Sequence, residues 1–144
     1  DASPAGAFRT APPRAAWAYD SCTDTWSSYS PNRAPGDNSL RAVTPAMGLF
    51  IDLLSPDRLT FVGVVPATTD ISLCAGWNFI GFPRFTTMTV AEALAATGAD
   101  TILGFDAAAP PGRTKAMAPT DVLERGRAYW IHTATPATWT VPSG

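Results

Sequence analysis

The stretch Leu49-Phe50-Ile51-Asp52-Leu53-Leu54-Ser55-Pro56-Asp57-Arg58-Leu59-Thr60-Phe61 returns later in the chain as Tyr129-Trp130-Ile131-His132-Thr133-Ala134-Thr135-Pro136-Ala137-Thr138-Trp139-Thr140-Val141, at a constant offset of 80. Aromatic Phe50 meets aromatic Trp130, Ile51 meets Ile131 and Pro56 meets Pro136. Internal repetition fixes architecture before any motif does, because each copy has the same surface to bury. Each copy reads as an aromatic strand, a Pro turn and a closing strand. Working outward, Val43 falls on Leu123 at the same offset, while Ala18-Tyr19-Asp20 matches Gly104-Phe105-Asp106 at an offset of 86. The loop between the matched blocks thus differs in length, and each unit begins with a strand ending in aromatic-Asp.

The second copy has a lead-in, Ile71-Ser72-Leu73-Cys74-Ala75-Gly76-Trp77-Asn78-Phe79-Ile80-Gly81-Phe82-Pro83, with no evident counterpart before Trp17. The expected organisation is an irregular N-terminal segment or linker over 1–16, a first, partial β unit over 17–66, and a second unit over 71–144. The units over 17–144 are expected to form one compact domain. Two explanations of the missing lead-in stand side by side. Either the domain never had that piece, or the chain is cut from a longer tandem array whose terminal units depend on neighbours to cover their edges.

Composition narrows the function classes. The 144 residues are 46% hydrophobic and 15% charged, against a norm of about 25% charged, which excludes a disordered tail. A formal net charge of -2 with no basic block argues against nucleic acid as a partner. No apolar run approaches the ~20 residues that cross a bilayer as a helix, so no membrane span is expected in this chain. Fourteen Pro and eleven Gly, spread along the chain, mark recurrent turns. Between them lie runs rich in aromatic and β-branched residues: Trp17 to Tyr19, Leu49 to Leu53, Leu59 to Val65, Trp77 to Phe82, Thr101 to Phe105, Tyr129 to Thr133 and Ala137 to Val141. The predicted fold is mainly β, two related antiparallel β units sharing a core, with one short α-helix near 88–97. That helix is marked by Thr89 and Glu92 in capping-box spacing and by Gly98 as its stop.

The blocks Gly76-Trp77-Asn78, Phe105-Asp106 and Tyr129-Trp130-Ile131, with Ala18-Tyr19-Asp20 in the first unit, resemble repeat modules of secreted and cell-surface proteins of bacteria and archaea. The resemblance covers roughly residues 17 to 141. It implies an exported, modular, non-catalytic β-domain within a larger protein, with other domains of a longer chain or neighbouring copies as partners. It brings no ligand and no catalytic residues with it.

Cys22 and Cys74 are an even pair, which in an exported protein reads as a disulfide that would staple the two units together. The alternative is two separate thiols. Two cysteines and one histidine so far apart lack the spacing of a zinc site. Asp20 and Asp24, among Ser21, Thr23 and Thr25, form a calcium candidate, although the spacing is not that of an EF-hand loop. The commoner reading is a turn whose side chains bond their own backbone.

No Gly-x-Ser-x-Gly elbow, His-Glu-x-x-His or phosphate loop is present in the sequence, so no catalytic residue and no cofactor is assigned. His132, the single histidine, falls on the same strand face as Trp130 and opposite Ile131. Trp77, Trp130 and Trp139 read as core. Trp26 and Tyr29 are the candidate ligand contacts, because planar rings on a β-surface can stack on sugar faces. The leading expectation is an extracellular or cell-surface structural or adhesive β-module. The alternatives are a carbohydrate-binding module, with polysaccharide as its partner, and a hydrolase domain with paired carboxylates or His132 and a nucleophile.

Overall fold

The computed structural model describes residues 2–61, 63–106 and 113–144. In chain order these form a helical turn α1 (Pro4–Ala7), strands β1 (Ala15–Asp20), β2 (Thr25–Tyr29), β3 (Phe50–Asp52), β4 (Thr68–Leu73), β5 (Gly76–Gly81) and β6 (Met88–Thr89), and helix α2 (Val90–Thr97). Strands β7 (Thr101–Phe105), β8 (Thr114–Ala116), β9 (Val122–Leu123), β10 (Ala128–Thr133) and β11 (Ala137–Pro142) follow. The molecule is mainly β, every strand pair is antiparallel, and α2 is the one helix of more than a single turn among the described residues.

The repeat in the sequence is a repeat of pairing. In the sheet ordered β2-β1-β3, Ala15, Ala16 and Trp17 pair with Asp52, Ile51 and Phe50. In the sheet ordered β5-β10-β7-β8, Thr101, Ile102 and Leu103 pair with His132, Ile131 and Trp130, the same register carried through both offsets. A shift of one residue would turn every ring to the wrong face, so shared register means shared burial. Ala16 and Ile102 are 0% and 1% exposed on the inner faces, while Trp17 and Leu103 turn the other way.

The second unit carries the larger core. Ile80, Ile102, Tyr129 and Ile131 from its sheet meet Ile71, Leu73, Trp139 and Val141 from the β4–β11 pair, closed at one end by Val90 and Ala93 of α2. The helix starts where its cap chemistry dictates. Thr89 Oγ1 accepts the Glu92 amide, Glu92 Oε2 accepts the Thr89 amide at 2.8 Å, and Gly98 at φ 67° ends it. Met88 and Thr89, expected within the helix, are instead extended against Leu123 and Val122, because an N-cap residue has non-helical backbone angles.

The first unit departs from expectation at its closing strand. Residues 59–61 and 63–65 form no strand, and Val62 lies outside the described residues. Its counterpart β11 pairs with β4, and no counterpart of β4 precedes β1 among the described residues, so the ladder has no partner. The inner face is covered another way. Ser3 caps α1, and buried Phe8 stacks on Tyr29 at 5.8 Å, with Ala11 and Leu40 also buried. The segment expected to be irregular or a linker therefore packs onto the first sheet.

Ties of several kinds join the units, among them a disulfide, a side-chain hydrogen bond and a β-bridge. Cys22 and Cys74 form a disulfide, their Cα atoms 5.3 Å apart. Ser21 Oγ donates to Asn78 Oδ1 at 2.6 Å. Met47 bridges Ile80, and the approach is so close that a Cβ on Gly81 would lie 2.5 Å from the Met47 carbonyl oxygen.

Candidate functional site: an aromatic cleft between the two units

The outward faces of the two sheets are turned toward each other. Period-two alternation sends Tyr19 and Trp26, cross-strand neighbours, to one side of the first sheet together with Phe50. It sends Phe79, Phe105 and Trp130 to the matching side of the second. The six rings form one layer. Phe50 stacks on Phe79 at 4.6 Å and 14°, Phe79 stacks on Trp130 at 4.8 Å, and Trp26 meets Trp130 at 6.2 Å.

The layer has an approximate two-fold logic. Tyr19 is the counterpart of Phe105, and Phe50 the counterpart of Trp130. Tyr19 touches Trp130 with ring centroids 5.4 Å apart, and Phe105 touches Phe50 at the same 5.4 Å. Residue i meets j, and the counterpart of i meets the counterpart of j, as in a symmetric dimer interface held within one chain.

Where the layer opens to solvent it forms a cleft of about 440 Å³ lined by Tyr19, Asp24, Trp26, Trp77, Leu103, Thr114 and Trp130. Trp26 is 52% exposed and Trp77 40% exposed, one from each unit. The polar atoms at the rim are held in place. The Tyr19 hydroxyl donates to Asp24 Oδ1 at 2.7 Å, and that bond to a carboxylate raises the phenol above its ordinary range. Asp24 sits at φ 52°, left-handed backbone that an Asp tolerates in a tight turn. Across the cleft, the Trp77 ring lies 5.0 Å from the His132 ring. His132 Nδ1 reaches both Asp100 oxygens, at 3.0 and 2.9 Å, and this bond holds the Asp100 carboxyl below its ordinary range.

Of the two expected ligand contacts, the structure brings only Trp26 to the cleft. Tyr29 is three residues on, hence on the opposite face of β2, where it stacks on Phe8. Trp77 and Trp130, expected in the core, line the cleft, whereas Trp139 is core at 3% exposure. Trp77 was legible in principle: it alternates with the buried Asn78 and is followed by Phe79, so it cannot share Asn78's inward direction. The calcium candidates are otherwise engaged. Asp20 Oδ1 accepts the Cys22 and Thr23 amides, an Asx-type turn, and Asp24 holds Tyr19. Among the described residues no three His, Cys, Asp or Glu side chains group so as to hold a metal ion. Among the described residues no helix is long and apolar enough to cross a membrane.

Compared with known proteins, the chain matches no family model, no curated protein and no solved structure.

Proposed function

We propose that this chain is a non-catalytic extracellular β-module with a structural or adhesive role, and that it engages its partner through the aromatic cleft. The observation that carries the reading is the pair Trp26 and Trp77. Large rings left half in solvent on both sides of one cleft are unfavourable for folding alone and favour contact with an apolar or planar surface. The disulfide supports an oxidising, extracellular setting.

A second reading, carbohydrate binding, has its own support. The rings offer stacking surface, while the Asp24 carboxylate and Thr114 hydroxyl in the same lining offer hydrogen bonds of the kind sugars require. The test is titration with a panel of soluble polysaccharides, followed by tryptophan fluorescence. A saccharide ligand gives a saturable change that Trp26→Ala and Trp77→Ala each remove and Tyr29→Phe leaves intact. If no polysaccharide produces that change, the carbohydrate reading falls. If, in addition, Trp26→Ala with Trp77→Ala leaves retention on host-cell surfaces unchanged, the adhesive role of the cleft falls as well.

A further inference from the structure

The stretch that follows β3 is the least accounted for part of the molecule. It has the composition of a strand, as its counterpart β11 does, yet its described residues make no ladder. Leu54 is 83% exposed, Phe61 57%, Val64 97% and Val65 45%. Scattered single apolar side chains need no explanation, but four within twelve residues, on backbone whose described residues pair with no strand, leave an open apolar stretch.

The internal repeat states what would cover it. In the second unit the equivalent strand β11 pairs antiparallel with β4 over six residues, Ala137↔Leu73 to Pro142↔Thr68. Leu59 is the counterpart of Trp139 and Phe61 of Val141, and those two pair with Ile71 and Thr69. The missing occupant is thus a β4-type strand, extended, with apolar side chains at the positions of Ile71 and Leu73 on one face and Thr, Asp and Ser on the other. The main-chain groups of residues 59–61 supply the ladder and their side chains the register, the general mode of recognition by strand addition.

We infer that residues 59–61 are a docking edge for a β4-type lead-in strand supplied by a neighbouring module. This inference rests on the modular reading proposed above but uses a surface separate from the cleft. The probe is a synthetic peptide of residues 66–76, with Ser in place of Cys74, added to isotopically labelled full chain and followed by amide chemical shifts. The expected result is saturable shifts at Leu59, Thr60 and Phe61, lost in Phe61→Asp and retained in Leu54→Asp and in Trp26→Ala. Absence of shifts, equal shifts from a scrambled peptide, or shifts confined to Ala137–Val141, which would mean that the peptide displaces the chain's own β4, each overturns the inference. Loss of peptide binding in Trp26→Ala would also overturn it by merging this surface with the cleft. Retained peptide binding with no adhesion through the cleft would remove only the cleft reading.

Discussion

Asn78 and Cys74 exchange a pair of hydrogen bonds: the Cys74 amide donates to Asn78 Oδ1 at 2.8 Å, and Asn78 Nδ2 donates to the Cys74 carbonyl at 2.8 Å. The side chain thus imitates one rung of a sheet and closes the turn between β4 and β5. The same carboxamide accepts from Ser21 Oγ and donates to the Gly76 carbonyl, while Thr133 Oγ1 donates to the Cys74 carbonyl. At 1% exposure it is a buried polar group with its capacity filled, placed beside the disulfide and against both units.

Replacing Asn78 by Leu keeps the size and removes every bond the carboxamide makes, leaving only that of Thr133 to the Cys74 carbonyl. The Cys74 amide, the Gly76 carbonyl and the Ser21 hydroxyl lose their partner at a partly buried junction, a cost of about 2–4 kcal/mol. Chemical denaturation with the disulfide intact measures it. A loss below about 0.5 kcal/mol would mean that the network is incidental.

The Cys22–Cys74 bridge spans 52 residues in sequence. Restricting the unfolded chain by a loop of that length stabilises the fold by about 4 kcal/mol in the chain-entropy model. Cys22→Ser with Cys74→Ser is expected to lower the denaturation midpoint accordingly. Thiol titration of the unfolded, unreduced protein is expected to find no reactive thiol, and two reactive thiols would remove the bridge.

The aromatic layer and the cleft rim separate by mutation. Phe79 is 6% exposed and stacks on both Phe50 and Trp130, so Phe79→Ala is expected to cost about 3–5 kcal/mol. Trp26, half in solvent, is expected to cost only about 1 kcal/mol on truncation, from its partial ring contacts. Equal losses in unfolding experiments would make Trp26 part of the interior and weaken its assignment to ligand contact.

Two carboxyls are held below their ordinary range, Glu92 by the Thr89 backbone amide in the capping box and Asp100 by the His132 imidazole. A depressed folded pKa stabilises the fold above the unfolded value, near ~4, and that stabilisation is lost as pH falls through the folded value. Stability measured from pH 5 downward is therefore expected to decline, and Glu92→Gln with Asp100→Asn to flatten the decline. An unchanged slope in the double variant would place the acid sensitivity elsewhere.

Much of this arrangement was readable one residue at a time. Ile131 and His132 on opposite faces of β10 follow from alternation alone, and α2 follows from Thr89, Glu92 and Gly98, because caps are local chemistry. The strand expected over Leu59 to Val65 was not legible in the same way. Its composition is that of a strand, but a ladder requires a second strand, and propensity does not report whether one is in place. Tyr29 differs for a related reason: nearness to Trp26 in sequence suggests a shared surface, yet three residues along a strand reverse the face.

Sequence by itself determined the periodic facts: that the chain is mainly β with one short helix after Thr89, that it contains two related units, and that the aromatic-Asp and Tyr-Trp-Ile strands occupy equivalent places. These are set by neighbours a few residues away and by the offset between copies. Tertiary structure alone decided that the two outward faces close on each other through Tyr19, Phe50, Phe105 and Trp130. It decided too that Trp26 and Trp77 stay open at the cleft and that Asn78 anchors the junction. The physical reason is that a side chain's face is fixed by its own strand, whereas what that face meets depends on how separate sheets pack, and no local pattern records that choice.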